Sequence, residues 1–134
     1  MILIDAGPLV ALVDGDDQHH AASIQTLKTI REPLATVWPA ISEAMYLLSD
    51  LPRAQEVIWD VLSSERIRLI SIGLHDVPRM RELMAKYSSL PMDFADAALV
   101  RVAERDGIRK IFTVDKTDFK IYRLHGRRPF TVIP

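Results

Sequence analysis

The chain predicts an α/β sandwich around a mostly parallel central sheet of four or five strands. Short apolar runs recur along it, amphipathic stretches of helical period separate them, and no internal repeat, linker or low-complexity segment divides it. With 134 residues, 49% hydrophobic and 26% charged, it has the length and composition of one soluble domain, 1–134, that can bury a core without staples.

MILID opens with a strand over Ile2–Ile4 that ends in Asp5, and Ala6-Gly7-Pro8 is a turn before a short helix from Pro8, a residue suited to a first helical position. Asp14 to Asp17 is a loop. QHHAASIQTLKTI reads as a helix with Ala22, Ile24, Leu27 and Ile30 as its apolar stripe. LATVW is a second strand closed by Pro39, and AISEAMYLLSD a helix with Ile41, Ala44, Met45 and Leu48 inward and Glu43 near its first turn. Pro52 starts the next helix, whose buried face is Val57, Ile58, Val61 and Leu62. IRLISI, Ile67 to Ile72, is a third strand, and a helix follows from about Leu74 to Tyr87. Another helix runs from Asp93 to Arg105 and closes at Asp106-Gly107. KIFTVD is a fourth strand ending in an acid, and PFTVI a fifth.

The absence of cysteine removes disulfides, zinc ribbons and thiol catalysis together and suits a reducing cytoplasm. The N-terminal apolar run is broken by Asp5 and Pro8 and lacks a basic leader, so neither a signal peptide nor a membrane span is expected. From Arg109 onward stand Arg109, Lys110, Lys116, Lys120, Arg123, Arg127 and Arg128 against only Asp115 and Asp118, a basic tail on an acidic body that could meet a polyanion or simply be solvated.

In PMDFADAALV, Asp93 and Asp96 have the spacing of an N-cap and its third helical residue, which by itself calls for no chemistry. The same spacing places two carboxylates on one helical face, where they repel unless protonated or bridged by a cation. In open α/β sheets ligands gather beyond the carboxyl ends of the strands. Asp5 ends the first strand, Glu43 follows the second, Asp93 and Asp96 begin the helix leading to the fourth, Asp115 ends the fourth and Asp118 lies in the loop after it. All fall at one sheet edge. Carboxylates about 4 Å apart repel by roughly 1 to 4 kcal/mol per pair at effective dielectrics of about 80 to 20. A cation with oxygen ligands, Mg²⁺ or Mn²⁺, is the natural offset, and such an ion assists phosphodiester hydrolysis.

Other polar residues lack such a pattern. Asp14, Asp16, Asp17, His19 and His20 read as a solvated loop and helix start, and His75 and His125 as surface residues. No serine has the glycine-flanked elbow of a hydrolase nucleophile, and no glycine loop cradles phosphate. Trp38 and Trp59 read as core anchors rather than base-stacking platforms.

Four motifs, MILIDAGPLVAL, WPAISEAMYLL, PMDFADAALVRVAE and IFTVDKTDF, taken in this order, resemble PIN-domain ribonucleases, specifically the toxin of VapBC-type toxin–antitoxin pairs, over essentially the whole chain. The resemblance implies a PIN-like α/β/α sandwich and a Mg²⁺- or Mn²⁺-dependent endoribonuclease. It places the family's catalytic acids on Asp5, Glu43, Asp96 and Asp115, with metal held by Asp5 and Asp96, Asp93 as a supporting acid and Asp118 as a substitute for Asp115 or a further supporter. RNA attraction would fall to Lys116, Lys120 and Arg123 beside the acidic loop. The implied partners are RNA, a cognate antitoxin covering the acidic cleft, and a second copy in a homodimer; no membrane is implied. Where the family usually has a small polar residue just after the first acid, this chain has Ala6 and Gly7. A receiver-like phosphoacceptor domain is the rival from another class, but the first strand ends in a single acid and the third in none. A catalytically silent RNA-binding relative would be expected to have lost an acid, and none is lost.

Overall fold

A computed structural model describes residues 1–134. In chain order the elements are β1 Ile2–Ile4, α1 Ala6–Val13, α2 His20–Thr29, β2 Leu34–Thr36, α3 Trp38–Leu47, α4 Pro52–Ser63 and β3 Ile67–Leu69. A 3₁₀ turn, Leu74–Asp76, leads into α5 Val77–Lys86, α6 Phe94–Asp106, β4 Lys110–Phe112, α7 Lys116–Ile121, β5 Arg123–Leu124, β6 Arg128–Pro129 and β7 Thr131–Ile133.

The sheet order is β3-β2-β1-β4-β7, and every pairing in it is parallel. Strands β5 and β6 form a separate antiparallel hairpin. Side chains alternate across the sheet as the two-residue strand period requires. Leu3, Ala35 and Ile111 face a core built with α5, α6 and Tyr122, whereas Ile2, Ile4, Leu34 and Phe112 face one built with α1, α3 and α4. The result is a three-layer α/β/α architecture. From β1 the chain steps outward to β2 and β3, then returns to place β4 on the other side of β1. The crevice at the C-terminal ends of β1 and β4 is therefore the point where strand order reverses, the preferred ligand position in such sheets.

Several boundaries differ from the sequence reading. Helix α1 begins at Ala6 rather than Pro8, because the Asp5 carboxylate accepts the Ala6 N–H and starts the helix directly off β1. On α2 the inward residues are Ser23 and Thr26, while Ala22 and Leu27 are exposed. The buried Thr26 hydroxyl is satisfied by the Ala22 carbonyl, which lets a polar face do the packing. On α4 the inner line is Ala54 and Ile58, with Val57 outward. Trp38 belongs to α3 and not to β2, and Glu43 falls in the second turn of that helix. Strand β3 stops at Leu69. Trp38 and Trp59 are 51% and 45% exposed, so neither is a core anchor. No helix is long and apolar enough to cross a membrane.

Candidate functional site

Asp5 leaves β1 at the reversal point, and its carboxylate is fixed from two sides. The Ala6 N–H donates to Oδ1 at 2.7 Å and the Thr113 hydroxyl to Oδ2 at 3.2 Å. Thr113 lies just past β4, and its Oγ1 also accepts the Asp115 N–H at 3.0 Å. The hydroxyl that Ala6 and Gly7 do not supply thus reaches Asp5 from across the crevice. Gly7 has its own reason: a Cβ there would stand 2.4 Å from Cγ2 of Val114, so only glycine lets α1 approach the loop after β4.

Asp93 caps α6, accepting the Asp96 N–H on Oδ1 at 2.8 Å. Asp96, one turn in, is buried, and the phenol of Tyr122 donates to its Oδ2 at 2.8 Å. Asp115 caps α7, and its Oδ1 lies 3.5 Å from the Asp118 nitrogen. Asp115 was expected at a strand end and Asp118 in a loop; they stand instead at the cap and in the first turn of a helix that the sequence reading missed.

The electrostatics bind these acids into one neighbourhood. Burial, then repulsion from Glu43 and Asp93, pushes Asp5 up to about 7 against the lowering effect of its two hydrogen bonds. Burial, then Asp5 and Asp93, pushes Asp96 up to about 8, with Tyr122 opposing and Asp115 adding a smaller push. Glu43, at the exposed rim, is raised by partial desolvation and by Asp93. Asp118 is raised by desolvation and by Asp115.

The chain buries four acids: Asp5, Asp76, Asp96 and Glu104. Asp76 is paired with Arg101 and Arg105, and Glu104 with Arg79. No salt bridge reaches Asp5, Asp96, Glu43, Asp93, Asp115 or Asp118. Buried carboxylates are ordinarily paired or bound to metal, so the two at the crevice are the exception within this molecule. No three carboxylate or imidazole groups converge to close a cage around one ion. An all-oxygen donor set built on two carboxylates, with the remaining positions left to water, nevertheless fits Mg²⁺ or Mn²⁺.

Of the expected RNA-binding cations, Lys116 and Lys120 are exposed on α7 and unpaired, whereas Arg123 donates through Nη1 to the carbonyls of Lys120, Ile121 and Tyr122 and so holds the end of that helix. In the Asp14–His20 loop, Asp14 and Asp17 accept N–H groups of their own loop and the His20 ring meets the Ala11 carbonyl, so these residues build a turn. Thr113 and Tyr122 were not anticipated. Thr113 at least stands two residues before Asp115 in TVDKTDF, but Tyr122 carries no local signal.

A parallel sheet in this order, helices on both faces and acids collected at its reversal point define a class. The chain belongs to the PIN-domain family, whose model matches residues 2–124. Over 135 residues it is 27% identical to ribonuclease VapC26 of Mycobacterium tuberculosis, covering 99% of this chain and 100% of that protein. Among solved structures, VapC20 of Mycobacterium tuberculosis, a Sarcin-Ricin loop cleaving toxin, superposes with a TM-score of 0.80 at 18% identity, covering 87% of this chain and 92% of that one. A toxin–antitoxin complex from Klebsiella pneumoniae gives 0.68 at 18% identity, covering 89% of this chain and 90% of its counterpart. The chain is a distant homologue of ribonuclease VapC26, and its PIN-domain membership sets the receiver-like reading aside.

Proposed function

We propose that this protein is a Mg²⁺- or Mn²⁺-dependent endoribonuclease and the toxin of a toxin–antitoxin pair. One observation carries the reading: two buried carboxylates share the crevice without a cationic partner, while the other two buried acids have arginines. In this reading Asp5 and Asp96 hold the ion. When bound, a divalent ion offsets the acids' charge, acidifies water and neutralises the scissile phosphate.

The chain's own residues supply the rest. The Ala6 N–H and Thr113 fix Asp5, and Tyr122 fixes Asp96, so the two acceptors are oriented before any substrate arrives. Glu43, raised and at the open rim, accepts the proton of the attacking water. Asp115 completes the acidic set, with Asp93 and Asp118 supporting. Lys116 and Lys120 offset the repulsion between an anionic cleft and RNA, and Arg123 steadies the helix that carries them.

The relative solved as a toxin–antitoxin complex supports an antitoxin partner, and a basic or aromatic side chain of that partner reaching the acids would silence the site. The exposed Leu47, Val57 and Trp59 on α3 and α4 offer apolar surface for that partner or for a homodimer. Presence of all four acids favours an active enzyme over a silent RNA-binding relative. Purified protein freed of any partner should cleave RNA with Mg²⁺ or Mn²⁺, stop with chelator, and lose activity as Asp5→Asn or Asp96→Asn without losing its fold. Full activity in either variant would sink the assignment.

A further inference from the structure

The nine aromatic residues divide into two populations. Tyr87, Phe112, Phe119, Tyr122 and Phe130 are buried, and four of these interlock edge to face as Tyr87–Tyr122, Phe119–Tyr122 and Phe119–Phe130. Of the four exposed rings, three line a single groove: Trp38, Tyr46 and Phe94, exposed by 51%, 78% and 50%. None of these three packs against another aromatic ring, and each is at least half exposed.

The groove has a volume of about 760 Å³ and lies between α3 and the start of α6, a volume within the usual span of small-ligand sites, roughly 300–1,000 Å³. Trp38 and Phe94 are the first residues of those two helices. Ser42, Glu43 and Asp93 share its wall, so it is continuous with the acidic crevice. Asp93 spends Oδ1 on the Asp96 N–H, which leaves Oδ2 to accept another donor.

We propose that this groove seats one unstacked nucleobase of the RNA strand beside the bond to be cut, with Trp38 and Phe94 as stacking faces and Asp93 and Ser42 reading an exocyclic amino group. The inference rests on the nuclease reading above. Single-stranded RNA is recognised in large part by bases laid on aromatic rings and hydrogen-bonded along their edges. Continuity with the proposed cleavage site selects this occupant over an apolar protein segment, because the groove shares Glu43 and Asp93 with the acidic crevice. Such a segment would cover Glu43 and Asp93 without giving them a donor, a costly desolvation. A base fills the aromatic space and brings its own N–H groups, while its sugar and phosphate remain on the side of the acids. Carboxylates accept from the amino group of cytosine, and adenine and guanine carry one too. Uracil does not, so an amino-bearing base is preferred at this position.

The test scans a single-stranded RNA oligonucleotide with one abasic site placed at successive positions around the cleaved bond. The abasic site should cost the wild-type protein roughly 5- to 100-fold in kcat/KM at one position, the range for a single stacked base. Trp38→Ala should lose a similar factor on intact RNA and nothing more on that abasic strand, and Trp38→Phe should recover most of it. Uracil at that position should cleave more slowly than cytosine. The proposal fails if Trp38→Ala and Phe94→Ala keep wild-type kcat/KM and base preference, including the case where they lose only self-association or antitoxin capture, which would give the groove to a protein.

A second readout separates this inference from the nuclease assignment. With Trp59→Phe, Trp38 is the sole tryptophan, and its fluorescence reports occupancy in an Asp96→Asn background. Base-dependent quenching alongside a parent that never cleaves would keep the subsite and discard the nuclease. Cleavage by the parent without base-dependent quenching would do the reverse.

Discussion

Removing the Tyr122 hydroxyl distinguishes an Asp96 that is poised for a cation from one that is simply buried. Tyr122 is fully buried, its ring packed edge to face on Tyr87 and Phe119 with centroids 5.0 and 5.1 Å away, and its hydroxyl lies 2.8 Å from Oδ2 of Asp96. Tyr122→Phe deletes one oxygen and leaves those ring contacts in place. A hydrogen bond to a charged group contributes about 1.5–3 kcal/mol, which is roughly a 10- to 150-fold change in an equilibrium constant. Tyr122 favours the ionised carboxylate, so its loss moves the titration of Asp96, already raised to about 8, higher still. A cation must displace that proton to bind. At neutral pH the variant should therefore bind Mn²⁺ roughly 10- to 100-fold more weakly by calorimetric titration, and the acid limb of its RNA-cleavage profile should move up by about one to two pH units. Thermal denaturation without cation should change by only a few degrees, on the order of a one-kcal/mol perturbation. Unchanged Mn²⁺ affinity and an unmoved acid limb, together with a large loss of thermal stability, would make Tyr122 a packing residue and refute the reasoning.

Two further outcomes follow from the same geometry. In chelator, stability should fall as pH rises from about 4 to about 8, because folded Asp5 and Asp96 keep their protons up to about 7 and about 8 whereas in the unfolded chain they release them near 3.8. Below about pH 4 the trend should reverse, since Asp76 and Glu104, held low by hydrogen bonds and arginines despite their burial, then begin to protonate. Denaturation midpoints from pH 5 to 8 check this: Asp96→Asn should flatten the slope, Mn²⁺ should stabilise more at pH 8 than at pH 5, and a midpoint rising with pH in chelator would contradict it. Separately, Gly7→Ala places a methyl against Val114 beside Asp115 and should destabilise by about 1–3 kcal/mol through overpacking, with a loss of cleavage as the loop shifts. Adding Val114→Ala should restore both, and a Gly7→Ala protein that melts like the parent would show that the loop yields freely.

What the sequence disclosed about the site was what local rules control. A strand that ends in Asp5 and a helix that starts at Asp93 announce themselves within a few residues, through an apolar run and a capping pattern, and both elements are found where expected. Helix α7 was missed because Lys116–Ile121 is too short to display a helical period. The inward face of α2 was misassigned because Ser23 and Thr26 are buried there in place of Ala22 and Leu27. The hydroxyls that orient the acids were hidden for a different reason. Thr113 and Tyr122 reach Asp5 and Asp96 across 108 and 26 residues, so only the parallel pairing of β1 with β4 and the packing of Tyr122 on Tyr87 and Phe119 bring them into range. The same folding changes the weight of Asp93. From sequence its capping role was sufficient to explain it, and it does cap α6. Yet its charge contributes to the raised titration of Asp5, Glu43, Asp96 and Asp118, whereas that of Asp115 is felt at Asp96 and Asp118. A residue whose charge reaches Asp5 and Asp96 and which also lines the aromatic groove links the place where a cation would bind to the place where a base would rest.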